Sequence, residues 1–288
     1  MTALMVEFIR ETYVATAYER NLVNGQQASL LAESGVIGAA GLVGWTLSSQ
    51  KYSSLQDEWA QEKTLENSGG TITFKVEEED GKLNLATLVS PNGTTNEIAL
   101  GFAQRLLKRL GLPLELTDSL SDWIDADDLP RPDGAEKAYY ETLNPPYQPH
   151  NGAPDTWGEL GLIKGFTPEI CRKLRPFATV YGNGLGLPVI NINTAPPEVL
   201  LSLDDQMTDD LVQRIVEYRK ETPFTAPADL AKVPGMESIT TGLLGRISVK
   251  GSVYRIISQG QVGESVRTIE AVVLINGTSA SFLYWREL

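Results

Sequence analysis

The chain of 288 residues has little of the side-chain chemistry on which many enzymes depend, because it contains one cysteine, Cys171, and one histidine, His150. A single cysteine excludes an intrachain disulfide, and a zinc site or a Cys-His pair would have to be built from these single copies. A Ser-His-Asp triad could use only His150, which stands in Pro149-His150-Asn151-Gly152, a pattern typical of an exposed loop. We therefore interpret His150 as a surface residue.

Long apolar runs are also missing near the start of the chain. The longest early run is Ala3–Val6, whereas a helix that crosses a bilayer needs about 20 residues. We expect no signal peptide and no membrane anchor within this sequence.

Positive charge is the minority charge. The chain has 24 lysines and arginines against 37 aspartates and glutamates, a formal net charge of -13 and a sequence pI near 4.6. Such a surplus repels nucleic acids and anionic membranes and favours cations or basic partners.

What the sequence does contain is a dense acidic stretch. Four carboxylates, Asp122, Asp125, Asp127 and Asp128, fall within seven residues, with no lysine among them. Carboxylates this close either remain in water or share a hard cation that takes oxygen ligands. A pair such as Asp125 and Asp127 is too close in sequence to flank a sugar as glycoside hydrolysis requires, and we predict that the protein is not an enzyme.

The spacing matches the calcium-loop template in part. With Asp125 as position one, Asp127 is position three, Asp133 is position nine and Glu136 is position twelve. Leu129 and Pro130 replace the acid and the glycine of the template, so this is not an EF-hand loop. Two interpretations stay open at this point, an oxygen-rich calcium turn and a solvated acidic loop.

Hydrophobic periodicity predicts the elements. A long helix runs from Thr2 to about Gln50, and alternation through Ile72, Phe74 and Val76 predicts a strand that turns at Asp80-Gly81 into a second strand from Leu83. A helical block follows, and β patterning returns from Ile247. We assign three regions: 1–95, the helix and first hairpin; 96–246, an inserted helical domain in two parts, 96–187 and 188–246; and 247–288, the closing strands.

This order predicts an α+β fold. The late strands have too little partner surface alone, so we expect them to join the early hairpin in one antiparallel sheet with the helical block inserted between strands. The long helix would pack on that sheet, which is a pilin-like architecture.

Six motifs in order carry a family resemblance. They are Gly81-Lys-Leu-Asn-Leu85, Asp122-Trp-Ile-Asp-Ala-Asp127, Gly134-Ala-Glu136, Asn144-Pro-Pro-Tyr147, Glu159-Leu-Gly-Leu-Ile-Lys-Gly165 and Ile192-Asn-Thr-Ala-Pro196. In this order they resemble the K-type minor pseudopilin of the bacterial type II secretion system, over nearly the whole chain.

The resemblance implies a pilin fold with a large helical insertion, placed at the tip of a periplasmic pseudopilus beside minor pseudopilins of types I, J and H. It also implies calcium in the inserted domain, a role carried onto Asp125, Asp127, Asp128, Asp133 and Glu136, together with Asp122. Full pseudopilins begin with a leader and a continuous apolar helix in the inner membrane. The sequence departs from the family here, and we expect membrane attachment only through a segment absent from this chain.

An alternative rests on the segment from Asn191 to Met236, which resembles a helix-hairpin-helix unit, related in form to SAM-like domains, that binds DNA backbones. Such units hold phosphate with backbone N–H groups in glycine hairpins. Here the first hairpin, Asp204–Asp209, has three acids and no glycine, and the second keeps only Gly235, followed by Glu237. We therefore expect no nucleic-acid binding.

Overall fold

The computed structural model describes residues 2–184, 186–277 and 279–288. Its first element is the helix α1, Thr2–Ser49, whose 48 residues span about 72 Å and confirm the predicted long helix. The later part of α1 buries a stripe of small and branched residues at helical spacing. They are Ala28, Ala32, Val36, Ala39 and Val43, none of which has exposed surface.

Nine strands form within the described residues. They are β1 (Lys63–Asn67), β2 (Gly70–Glu78), β3 (Leu83–Asn84), β4 (Ala178–Thr179), β5 (Ile190–Asn191), β6 (Ile247–Ser248), β7 (Val253–Val262), β8 (Ser265–Asn276) and β9 (Ser279–Glu287). Five of them form one sheet in the order β1-β2-β7-β8-β9, and the β1–β2 and β8–β9 pairs are antiparallel. The early hairpin and the closing strands therefore share one sheet, as predicted.

The long helix packs on this sheet. A Cβ atom at Gly35 would collide with Ser258 Oγ of β7 and lie 2.7 Å from Ile72 Cγ2 of β2, so only glycine fits at that point of contact. The predicted α+β architecture, a long helix on an antiparallel sheet, is confirmed.

The predicted hairpin turn at Asp80-Gly81 is wrong. The strand β2 pairs instead with β1, and β3 pairs in parallel with β4, about a hundred residues later in the chain. Glycine at position 81 lets the chain pass close to Thr194. A Cβ at Gly81 would lie 2.6 Å from Thr194 Oγ1 and 2.9 Å from Thr194 C.

Helices fill the chain between β3 and β6. They are α2 (Glu97–Leu110), α3 (Leu116–Ile124), α4 (Lys137–Tyr140), α5 (Pro168–Leu174), α6 (Pro197–Ser202), α7 (Asp209–Glu221) and α8 (Glu237–Leu243), with 3-10 turns at Leu85–Leu88, Trp157–Leu162 and Pro227–Lys232. The longest shows why they form where they do. The Asn96 side chain caps the start of α2 by accepting from Ala99 N, and Gly111, with φ of 62°, ends it.

The described chain divides into two compact units. Unit 1 comprises Met1–Thr46, Glu58–Glu77 and Arg255–Leu288, and unit 2 comprises Leu47–Asp57 and Glu78–Tyr254. The predicted insertion, 96–246, lies within unit 2, but unit 2 begins earlier and ends later. The reason is that β3 and β6, assigned from the sequence to the pilin-like regions, pair with β4 and β5 inside unit 2.

Among the described residues, α1 is long and apolar enough to cross a membrane by length and composition. The expectation of no membrane anchor rested on uninterrupted apolar runs, and it did not take this longer, interrupted window into account. Half of the apolar window is buried within the protein, and the core helix of a soluble protein passes the same test.

Candidate functional site

The acidic stretch begins at the end of α3. This helix is amphipathic and buries Leu116, Leu120 and Trp123, which fixes its last turn against the core of unit 2. Asp122 lies in that last turn, and Asp125 is the C-cap, with its N–H donating to Ser121 O at 2.9 Å. The carbonyl end of a helix carries partial negative charge, so both carboxylates stand where the helix itself disfavours them.

Three carboxylates converge at this point. Ligand atoms of Asp122, Asp125 and Glu136 all lie within 4.8 Å of one another. The three residues are almost completely buried, with exposed fractions of 0%, 4% and 3%. Buried carboxylates this close require compensation by positive charge, by hydrogen bonds or by protons.

Arg131 supplies part of that compensation. Its Nη1 atom donates to Asp122 Oδ1 at 2.6 Å and to Asp125 Oδ2 at 2.5 Å, and its backbone N–H donates to Asp122 Oδ2 at 3.1 Å. No lysine lies within the acidic run, but Arg131, three residues beyond it, supplies a positive charge that was not anticipated from the sequence. Arg131 lies between Pro130 and Pro132, directly after the acidic run, and that position was the signal available in the sequence.

One guanidinium does not satisfy three carboxylates. Asp125 Oδ1 and both carboxylate oxygens of Glu136 are buried and have no hydrogen-bond partner among the described residues. Burial, followed by the charges of Asp122 and Asp125, raises the pKa of the Glu136 carboxyl from 4.5 to about 8. Burial likewise raises the pKa of Asp125, although the hydrogen bond from Arg131 opposes it.

The residues present fit a divalent cation. Three carboxylates and one guanidinium leave two net negative charges when all are ionised, which a single divalent ion would neutralise. The unpartnered atoms are oxygens, the ligand type that calcium prefers. Gly134 leaves room for the cluster, because a Cβ there would overlap the Asp122 carboxylate and lie 2.6 Å from its Cγ.

The other predicted ligands do not join this cluster. Asp127, Asp128 and Asp133 are exposed, and Asp127 Oδ1 accepts from Leu129 N at 2.8 Å in a local turn. Asp133 donates its N–H to Asp118 Oδ2 at 3.2 Å, while its carbonyl accepts from Lys164 Nζ at 3.1 Å. The set of converging residues therefore differs from the loop template. The template includes Asp127 and Asp133 as ligands and does not include Asp122.

The helix-hairpin-helix segment offers carboxylates where a phosphate would bind. The Gly235 N–H donates to Glu237 Oε2 at 3.0 Å, and so it already has an anionic partner. At the first hairpin, Asp205 pairs with Arg105 at 3.4 Å and Asp209 pairs with Arg109, so two nearby arginines already have carboxylate partners. No feature of this segment favours the nucleic-acid alternative.

Comparison with known proteins gives one consistent result. A family model described as "Type II secretion system (T2SS), protein K" matches residues 81–183, and a second model with the same description matches residues 190–250, together more than half of the chain. The crystal structure of the GspK-GspI-GspJ complex from enterotoxigenic Escherichia coli Type 2 Secretion System contains a similar fold. Its TM-score is 0.73 at 21% identity, over 96% of this chain and 99% of that chain.

Relatives in other bacteria agree. The type II secretion system protein K of Aeromonas hydrophila is 27% identical, over 82% of this chain and 76% of that protein. The protein K of Klebsiella pneumoniae is 25% identical over 84% and 76%, and that of Pseudomonas aeruginosa is 29% identical over 73% and 63%. The chain belongs to the type II secretion system protein K family, the K-type minor pseudopilins.

Proposed function

We propose that this subunit caps the tip of the type II secretion pseudopilus, where it helps to initiate assembly and so supports protein export through the outer membrane. The observation that carries the proposal is the insertion of unit 2 into a pilin-like sheet, between β2 and β7. Unit 2 holds well over half of the chain. A subunit with this added bulk would hinder the addition of a further subunit, and a tip position follows from that.

The partners in this proposal are minor pseudopilins of types I and J, with type H joining the same assembly. The fold relative was crystallised as a complex of K, I and J proteins. The corresponding location is the periplasm, with the protein held in the inner membrane by its N-terminal region.

The outward face of α1 is the surface we assign to partner helices. Ile37 and Trp45 have exposed fractions of 64% and 67%, and they flank Gly38 and Gly41. A Cβ at either glycine would meet no atom within 4 Å, so the fold of this chain does not require glycine there. A glycine in the middle of a helix lowers the stability of the helix by about 1 kcal/mol relative to alanine. Close packing of a partner helix against the glycine would offset that loss.

A pair of variants tests this face. Gly41→Leu is expected to leave this chain folded when it is alone. The variant is expected to prevent complex formation with soluble I- and J-type pseudopilins, because the new side chain holds the partner helix away. Gly242→Leu is the matched control, since Gly242 is also an exposed helical glycine with open space around it. Equal complex formation by both variants, measured by size-exclusion chromatography, would remove this face from the proposal.

We further propose that calcium binds Asp122, Asp125 and Glu136, with the exposed carboxylates of Asp127 and Asp128 as further candidate ligands. The charges of Asp127 and Asp128 already contribute to the raised pKa of Glu136. The ion would neutralise the cluster and tie the end of α3 to the turn before α4. Its contribution to stability would follow mass action, about 2.7 kcal/mol when free calcium exceeds the dissociation constant a hundredfold.

Thermal melting with calcium and with chelator tests this site. The unaltered chain is expected to melt at a lower temperature in chelator. Glu136→Gln is expected to lose the calcium response while remaining at least as stable in chelator, because the variant no longer buries an unpaired carboxylate. Glu221→Gln, an exposed carboxylate on α7, is the control that keeps the response. A calcium response that survives in Glu136→Gln would rule out the assignment.

A further inference from the structure

A second group of metal-ligating side chains lies in unit 2, apart from the three buried carboxylates. It consists of His150, Asp155 and Glu159, and one ligand atom from each lies within 4.8 Å of the other two. His150 and Asp155 stand in the loop before the 3-10 turn Trp157–Leu162, and Glu159 lies within that turn. His150 is the only histidine of the chain, so the group holds the only imidazole available to a metal.

The carboxylate of Glu159 is held in place by two N–H groups. Its Oε1 accepts from the indole N–H of Trp123 at 2.8 Å, and its Oε2 accepts from the backbone N–H of Asp155 at 3.0 Å. Metal ligands are commonly oriented by such outer hydrogen bonds. Trp123 is itself fixed in the core of unit 2, with an exposed fraction of 2%, so one ligand of the group is oriented before any ion arrives.

His150 approaches the same carboxylate. Its Nδ1 lies 2.6 Å from Glu159 Oε1, and the imidazole side chain is about one-third exposed. The neighbouring residue on the approach side is Gly152, where even a Cβ would lie 3.6 Å from the ring. Gly152 itself, having no side chain, leaves space beside the imidazole.

The 2.6 Å separation of His150 and Glu159 and the 4.8 Å limit on the other pairs lie on either side of the spacing that a small borderline ion needs. Zinc binds imidazole nitrogen and carboxylate oxygen at 2.0–2.2 Å, which places tetrahedral ligand atoms about 3.4 Å apart. An ion would need the His150–Glu159 contact to open by less than about 1 Å, a small rotation for an exposed side chain. Calcium prefers six to eight oxygens, so an imidazole with two carboxylates favours zinc over calcium.

We propose that His150, Asp155 and Glu159 bind one zinc-class divalent ion, with water completing its coordination. The ion would take the position between imidazole and carboxylate and would clip the loop at residues 150–155 to the 3-10 turn. This site is independent of the proposed calcium cluster and of the proposed place in the pseudopilus.

The single histidine makes the test specific. Tag-free protein with excess calcium is titrated with zinc chloride while the imidazole NMR resonances are followed, and these resonances belong to His150 alone. We expect them to shift and to saturate at one equivalent of zinc. Isothermal titration of His150→Ala and Asp155→Asn is expected to show zinc binding weakened at least about tenfold. Asp127→Asn, an exposed carboxylate outside the group, and Asp125→Asn should bind zinc as the unaltered chain does.

Three results would overturn the proposal. One is an imidazole spectrum that does not change as zinc is added, and another is equal zinc affinity in His150→Ala. The third is loss of zinc binding in Asp125→Asn with retention in Asp155→Asn, which would place the ion in the carboxylate cluster. Because none of these measurements uses a partner pseudopilin, a failure here leaves the proposed function untouched, and a failure of complex formation leaves this site untouched.

Discussion

At the scale of single residues, Gly134 controls the space around the acidic cluster. A Cβ at this position would overlap the Asp122 carboxylate, which is completely buried and bonded to Arg131. Gly134→Ala is therefore expected to destabilise the chain by about 1–3 kcal/mol, the usual cost of overpacking, and to abolish the calcium response. Gly161→Ala is the control, because a Cβ at Gly161 meets nothing within 4 Å. Urea denaturation that gives equal stability for both variants would contradict this account of Gly134.

Glu78 is a buried carboxyl outside the acidic cluster, and it is the first residue of the longer segment of unit 2. It accepts four hydrogen bonds, from Ser53 at 2.6 Å, Asn191 at 2.6 Å, Thr194 at 2.9 Å and Tyr254 at 3.2 Å. Burial, together with the charge of Asp80, nevertheless raises the pKa of Glu78 from 4.5 to about 7. The hydrogen bonds only partly offset the cost of burying the charge.

This pKa sets the direction of a pH effect. A carboxyl whose pKa is higher in the folded chain binds its proton more tightly there, so its stabilising contribution is complete below pH 4.5 and is lost as the pH rises through about 7. Between about pH 5 and 8, the free energy of unfolding of the unaltered chain is expected to fall relative to that of Glu78→Gln, by a few kcal/mol. Urea denaturation across this range measures it, and parallel pH profiles for the two proteins would refute the assignment.

The predicted ligand set contains the three carboxylates that converge in the structure, Asp122, Asp125 and Glu136, together with three that stay exposed. Asp125 and Glu136 stood on the loop template, and Asp122 came from the family resemblance. A local spacing rule places ligands within one continuous loop, whereas here the turn at residues 130–134 returns the chain under the end of α3. Whether Asp127 faces water or Glu136 faces the core depends on that return, and no pattern in the sequence specifies it.

At the scale of elements, α1 presents glycine to two different surroundings. Gly35 faces the sheet, where a Cβ would collide with Ser258, whereas Gly41 faces open space. Gly35→Ala is expected to destabilise the isolated domain by about 1–3 kcal/mol, and Gly41→Ala is expected to stabilise it by up to about 1 kcal/mol through helix propensity. The melting temperatures of the two variants, compared with that of the unaltered chain, test both expectations. Destabilisation by Gly41→Ala in the absence of partners would show that this glycine serves the fold rather than an outward surface.

Helix bounds were more predictable than strand partners. The periodicity of α1 fixed its ends to within a residue or two, because a helix is specified by neighbours in sequence. The partner of Leu83–Asn84 was predicted wrongly because an Asp-Gly pair resembles a hairpin turn, while the true partner, Ala178–Thr179, is distant in the chain. Strand pairing depends on such distant contacts, and short strands carry little alternation to indicate them.

At the scale of the whole molecule, the order of elements proved the most informative feature. Strands at both ends of a helical block predicted one sheet with an insertion, and β2 and β7 are indeed neighbours in that sheet. The limits of the insertion were less predictable, since the short strands β3 and β6 belong to unit 2. The wider proposal, a subunit that ends a fibre, depends on this interrupted sheet.

The stoichiometry of the complex tests that proposal most directly. Native mass spectrometry of this chain mixed with soluble I- and J-type pseudopilins is expected to show one copy of each protein, with no larger species when this chain is in excess. A subunit that caps an assembly offers a docking surface on one side only, so its own copies cannot continue the fibre. Complexes that grow by adding further copies of this chain, or a mixture that forms no complex, would contradict the account.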